Sequence, residues 1–141
     1  MIKQITVFLE NDKGRLAALC GILGDANISM RALTVADTMD YGVARIIADD
    51  PDAAASILTD GGYRAKLTDV FAVEVPDAPG GLAKLLRAFD DAAINVEYAY
   101  CFSVSGGNAV DILRVNDDVQ AKPIIEEAGF KELSAQDVLA L

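Results

Sequence analysis

Asp77-Ala78-Pro79-Gly80-Gly81-Leu82 joins an apolar run, residues 70–75, to a stretch whose leucines fall at helical spacing. It has a counterpart earlier in the chain. Asn11-Asp12-Lys13-Gly14-Arg15-Leu16 follows the alternating run of residues 5–9, in which Ile5, Val7 and Leu9 are interleaved with Thr6 and Phe8. Alternation of this kind predicts a strand with one largely apolar face. A glycine between strand and helix lets the backbone approach a ligand closely and leaves free N–H groups at the helix start. Two such turns are two candidate sites for a small anion.

Beyond the first turn, Leu16, Leu19, Cys20 and Leu23 lie on one face of a helix, and residues 24–27 end it. Residues 28–36 and 43–48 predict two further strands about a turn at 37–42. Asp49, Asp50 and Pro51 supply helix-start chemistry, and Ala54, Ile57 and Leu58 form a short helix stopped by Gly61-Gly62. Residues 63–67 predict a fourth strand. The order then starts again. Leu82, Leu85, Leu86 and Phe89 repeat the first helix, residues 94–104 and 109–115 predict a hairpin about 105–108, and residues 130–133 a last short strand. Pro123 places the start of the intervening helix late, near Lys122. Ser134 and Asp137 form a capping-box start for one more helical turn.

Gly14 and Gly80 are 66 residues apart, and the same offset pairs Leu16 with Leu82, Leu19 with Leu85 and Ile28 with Ile94. After the third strand the offset is 67, pairing Tyr63 with Phe130. Self-similarity at a fixed period marks a duplicated supersecondary unit. The unit is βαββαβ, a ferredoxin-like α+β arrangement whose helices cover one face of an antiparallel sheet. The expected domains are residues 1–67 and 68–141, joined directly through Leu67-Thr68-Asp69. Apolar residues such as Leu33, Val35 and Tyr100 are expected on the uncovered face, which would be buried by pairing within or between chains, as in a homodimer.

The formal net charge of −10 disfavours phosphate backbones and anionic membrane surfaces as direct partners. The chain contains no histidine, so the commonest general base and metal ligand are absent. There is no nucleophile elbow and no glycine-rich nucleotide loop, so no catalysis and no cofactor are expected. Cys20 and Cys101 are expected to be buried reduced thiols. The acidic groups Asp49-Asp50-Asp52 and Asp117-Asp118 lie where helices begin and lack EF-hand spacing, which makes them caps rather than a metal site. The first residues alternate at once rather than forming a leader, and no apolar run reaches spanning length. A cytoplasmic protein is expected.

The doubled turn within a doubled βαββαβ order resembles the tandem ACT-domain proteins, over essentially the whole chain. Asp77-Ala78-Pro79-Gly80-Gly81-Leu82 matches the family's turn fully. Asn11-Asp12-Lys13-Gly14-Arg15-Leu16 lacks the proline. The resemblance implies a regulatory module that binds a small ligand, typically an amino acid, between paired domains. The ligand would lie against the turn of one domain and the second strand of its neighbour. It implies binding residues Asn11, Asp12, Gly14, Leu16 and Ser29 in the first unit, and Asp77, Pro79, Gly80, Gly81, Leu82 and Asn95 in the second. Ser29 departs from the asparagine that the family's pattern places there.

The residue chemistry agrees with that role. An amino-acid zwitterion needs donors for its carboxylate, which the N–H groups near Gly14 and Gly80-Gly81 provide. It needs acceptors for its ammonium, which Asp77 or the amides of Asn11 and Asn95 provide. Asn11 and Asp77 are equally good helix-cap or turn residues, and Asn95 could simply begin a strand. Tyr98, Tyr100 and Phe102 alternate along a strand, as sheet core or as a lid on a ligand. Two functions follow: an amino-acid-binding regulatory protein, or a non-catalytic subunit docking on a metabolic enzyme or regulator without a ligand of its own.

Overall fold

The structure, a computed structural model, describes residues 1–37 and 40–141, without the side chains of residues 103–105. Among the described residues twelve elements follow one another: β1 (Ile2–Glu10), α1 (Arg15–Asp25), β2 (Met30–Asp37), β3 (Tyr41–Ala48), α2 (Pro51–Asp60), β4 (Arg64–Pro76), α3 (Gly81–Asp91), β5 (Val96–Ser105), β6 (Asn108–Val115), α4 (Asp118–Glu127), β7 (Lys131–Glu132) and α5 (Ala135–Leu139). They form two compact units. One is Lys3–Thr68, here the first unit; the other is Asp69–Leu141 with Met1–Ile2, the second. Each is an ACT-like α+β unit with two helices packed on an antiparallel sheet. The centre of the turn expected at 37–42 lies outside the described residues.

In the first unit the strand order is β2-β3-β1-β4. The register Ile5↔Ile46, Val7↔Ala44 and Leu9↔Gly42 sets the apolar positions of β1 and β3 on one face. Leu19 and Leu23 of α1 and Ala54 and Leu58 of α2 close over that face in one cluster. On the other face Gln4 and Thr6 are buried, and the Gln4 amide donates to Thr6 Oγ1 at 3.0 Å. The Thr6 and Thr68 hydroxyls share a further bond of 2.9 Å.

In the second unit the order is β5-β6-β4, with β7 also paired to β4. Phe71, Val73 and Val75 of β4 and Leu113 of β6 meet Leu85 and Phe89 of α3 and Ile125 of α4. The second unit adds α5, which the first unit lacks. Its capping box forms as expected: the Ser134 N–H donates to Asp137 Oδ2 at 2.8 Å and the Asp137 N–H to Ser134 Oγ at 3.2 Å.

Four expectations are corrected. Residues 64–76 are one continuous strand where two, 63–67 and 70–75, are expected; Leu67-Thr68-Asp69 lies within it and contains no glycine or proline to break the extension. Helix α4 begins at Asp118, with Pro123 inside it. The ring removes the bond to the Val119 carbonyl, and Val119 is 86% exposed, so that carbonyl can turn to water. Leu33 and Val35 pair with Ile46 and Ala44, and thus share the helix-covered face. They are exposed because β2 is the unit's outer strand. Cys101 is exposed for the same reason, on the outer strand β5, and both cysteines are free thiols. Among the described residues no helix is long and apolar enough to cross a membrane.

Candidate functional site

The two strand–helix turns have the same backbone. Gly14 (φ 82°, ψ −7°) and Gly80 (φ 84°, ψ −3°) are left-handed and immediately precede α1 and α3. An L side chain at such a φ is strained, which is why glycine recurs there. The Asp12 N–H donates to the Glu10 carbonyl at 2.9 Å, and the Ala78 N–H to the Pro76 carbonyl at 2.9 Å. The Ala18 N–H then donates to Gly14 O and the Lys84 N–H to Gly80 O, opening each helix one residue into the turn.

Neither α1 nor α3 has a side-chain cap. The other helices do. The Ala53 N–H donates to Asp50 Oδ1 at 3.0 Å and the Gln120 N–H to Asp117 Oδ1 at 3.0 Å, while Ser134 caps α5. The acidic groups at the starts of α2 and α4 are therefore capping groups, as expected. Asn11 and Asp77 lie three residues before the glycine that occupies the cap position, so they do not cap these helices. Apart from the N–H groups of Arg15 and Gly81, which bond back to carbonyls of the turn, the first-turn N–H groups of α1 and α3 have no side-chain cap and stand at the positive end of a helix dipole, where an anion can bind.

The second turn is the tighter. The Gly81 N–H donates to Ala78 O at 2.9 Å, whereas the Arg15 N–H reaches Asp12 O at 3.3 Å. A Cβ at Gly81 would sit 2.2 Å from the Pro76 carbonyl oxygen. The Asp77 N–H also donates to Gly107 O at 2.9 Å, tying this turn to the β5–β6 hairpin. The Asp77 and Pro79 side chains are exposed, Leu82 packs against the core, and Leu16 is exposed.

Ser29 and Asn95 sit at equivalent places. The Ser29 N–H donates to Asp49 Oδ1 at 3.0 Å, and the Asp49 N–H to Ser29 O at 3.1 Å. The Asn95 N–H donates to Asn116 Oδ1 at 2.9 Å, and the Asn116 N–H to Asn95 O at 3.1 Å. The backbones are braced while both side chains are exposed. Within a unit, however, these residues do not meet the turn. Met30 at the start of β2 pairs with Ala48, whereas Glu10 before the turn pairs with Tyr41, at the other end of β3. Seven residues of strand separate the two levels, roughly 23 Å. The second unit repeats this, with Pro76 paired to Asn108 and Val96 to Val115.

Each unit also carries a cleft beside its turn that the sequence reading did not find. The first, about 610 Å³, is lined by residues that include Phe8, Arg15, Tyr41 and Arg64. The second, about 470 Å³, is lined by residues that include Glu74, Gly80, Lys84, Asn108 and Lys131. Their positions correspond through the repeat offsets of 66 and 67. The offsets were the available signal, but the lining is spread over four separate segments.

Duplicated βαββαβ units, each opening its first helix on an uncapped left-handed glycine, define a small regulatory ligand-binding module. The chain belongs to the ACT domain pair family, which it matches over residues 1–141. ACT domains are regulatory, ligand-binding domains. Among solved structures it is similar to protein BT0572 from Bacteroides thetaiotaomicron, with 33% identity, a TM-score of 0.91, and 99% of this chain and 96% of that one covered. It also shares its fold with the ligand-free regulatory subunit of aspartate kinase from Thermus thermophilus, at 16% identity and a TM-score of 0.65, covering 90% of this chain and 92% of that one. The regulatory subunit of aspartate kinase from Thermus flavus is similar at 17% identity and a TM-score of 0.64, covering 89% and 91%. No curated protein matches the chain.

Proposed function

We propose that this protein is a non-catalytic regulator that binds an amino acid at its strand–helix turns, between paired ACT units. The observation that carries the reading is the contrast in helix capping: α2, α4 and α5 are closed by their own side chains, whereas α1 and α3 are left open behind left-handed glycines. The open N–H groups take the ligand's carboxylate. Asn11, Asp77 or Asn95 takes its ammonium.

Pairing follows from the sheet geometry of a single unit. The turn and the Ser29 or Asn95 position lie at opposite ends of the sheet, so a small ligand held by both kinds of group needs two units. A homodimer in the cytoplasm is the assembly we infer. Asn95 retains the amide that Ser29 lacks, so the two kinds of site differ in affinity.

The test is a thermal-shift screen of the full chain against the twenty amino acids, followed by Asp77→Ala and Asn95→Ala. A ligand at 100 times its Kd stabilises the folded state by about 2.7 kcal/mol. One or a few amino acids should raise Tm, and both variants should lose that response while keeping the unliganded Tm. A flat screen on well-folded protein would overturn the ligand assignment. Unchanged affinity in both variants would overturn the residue assignment.

A further inference from the structure

The cleft of the first unit contains none of Asn11, Asp12, Gly14, Leu16 or Ser29. It lies between the end of β1, the start of α1 and the corner where α2 gives way to β4. Phe8 and Tyr41 are 43% and 49% exposed, an unusual state for two large rings on neighbouring strands. Their centroids are 6.4 Å apart, and the Arg64 guanidinium sits 5.6 Å from the centre of the Phe8 ring. Arg15 adds a second guanidinium. It pairs with Glu10 at 3.0 Å, but both partners are largely exposed, so a ligand carboxylate can replace Glu10 at little cost.

The second unit shows what this chemistry is not. At the place of Phe8 it has Glu74, and at the place of Tyr41 it has Asn108, whose amide donates to Glu74 Oε1 at 2.6 Å. A bonded carboxylate–amide pair replaces two rings. The cation of Arg64 persists as Lys131, and the ring of Tyr63 as Phe130. The second cleft keeps a buried ring, Phe130, under the Lys84 ammonium at 5.5 Å, so what distinguishes the first cleft is its pair of exposed rings with two guanidinium groups.

We propose that the first unit's cleft is a second ligand site, adjoining the strand–helix turn at Arg15 but distinct from the first-turn N–H groups, and that it takes a small aromatic carboxylate. The ring packs against Phe8 and Tyr41, and the carboxylate is held by the Arg15 and Arg64 guanidinium groups, whose planar forks match it. At about 610 Å³ the cleft is within the usual range for small-molecule sites. The second cleft, with Glu74 in place of a ring, rejects the same ligand, so one molecule binds per chain.

The experiment is an amide-resolved NMR titration of the full chain with benzoate and phenylpyruvate, with benzylamine as the charge-reversed probe. The expected result is saturable shifts at Gly61, Gly62 and Arg64 with either acid, and none there with benzylamine. Arg64→Gln should weaken binding at least tenfold, while Lys131→Gln, the equivalent change in the second unit, should leave it unaltered. Shifts confined to Leu16, Ala17, Leu82 and Ala83 would place the acid at the strand–helix turns and overturn this site without touching the amino-acid reading. Equal binding of benzylamine, or unchanged affinity in Arg64→Gln, would overturn it as well.

Discussion

Gly81→Ala separates steric from conformational reasons for glycine at the second turn. Gly81 is the first residue of α3, and its φ is not in the left-handed region. An alanine there would ordinarily help, by about 0.4–1 kcal/mol through the unfolded chain alone. The added Cβ would lie 2.2 Å from the Pro76 carbonyl oxygen and 3.2 Å from its carbon. Relief requires roughly 1 Å of backbone movement, which disturbs the 2.9 Å bond from the Ala78 N–H to that same oxygen. Forcing atoms into a packed site costs about 1–3 kcal/mol. The net expectation is a loss of about 1–2 kcal/mol, lowering Tm by about 3–7 °C at this chain length.

Gly80 is the control. Nothing lies within 4 Å of its added Cβ, but its φ is +84°, so Gly80→Ala is penalised by backbone strain of about 1–2 kcal/mol. Asparagine tolerates the left-handed region, so Gly80→Asn should recover part of that loss, whereas Gly81→Asn should recover nothing. Thermal and urea denaturation of the four variants measures this directly. Gly81→Ala at or above wild-type stability, with unmoved amide resonances at Gly80 and Leu82, would refute the steric argument.

Ala93 holds φ 57° where the first unit places Asn27 at φ 58°, so Ala93→Asn should raise stability by about 0.5–1 kcal/mol in a urea melt. Asp50→Ala and Asp117→Ala each remove a helix cap and should cost about 1 kcal/mol, whereas the exposed, non-capping Asp77→Ala should cost under about 0.5 kcal/mol. Thr6→Val leaves the buried Gln4 amide without its bond to Thr6 Oγ1 and should cost about 1–3 kcal/mol by thermal denaturation, despite its matching shape. Burial raises the Asp111 carboxyl above its ordinary value of 3.8, so the folded state holds that proton more tightly than the unfolded chain. Stability from this group is complete below pH 3.8 and falls as pH rises through its folded value. Asp111→Asn should therefore stabilise the protein at neutral pH, and that gain should vanish in acid melts.

The sequence displayed the fold through repetition. Matching leucines at an offset of 66 set two equal helices behind two equal strands, and the glycines marked turns whose φ values agree within 2°. What escaped depends on partners remote in sequence. Leu33 and Val35 look like an outer apolar face until their pairing with Ile46 and Ala44 puts them on the helix side of an outer strand. The continuity of β4 was written as an absence, since Leu67-Thr68-Asp69 has neither glycine nor proline. Pro123 is a strong local stop, overridden because Asp117 caps the helix six residues earlier and the carbonyl that Pro123 cannot bond belongs to the exposed Val119. At the site, the glycines were legible because backbone strain is local. The clefts were not, because Phe8, Tyr41 and Arg64 meet only after three strands have paired.

The two units preserve backbone and vary chemistry, and the variation has a pattern. The left-handed glycines, the positive φ at Asn27 and Ala93, and the braces at Ser29 and Asn95 are kept in geometry. Core positions exchange one apolar residue for another, as Ile5 for Phe71 and Leu23 for Phe89, whereas changes of chemical character occur at the turns and clefts: Arg15 against Gly81, Phe8 against Glu74, Tyr41 against Asn108, Ser29 against Asn95. If the duplication served only to build a larger core, constraint would fall on the buried positions, and these residues, most of them exposed, would vary without direction. Instead the first unit gathers rings and guanidinium groups, while the second gathers a carboxylate, amides and a tighter turn. A single protein with two identical sites would respond to one ligand in two steps. The two proposed sites together assign this chain two ligands of different chemistry, an amino acid at the turn beside Asp77 and an aromatic acid at the cleft beside Arg64.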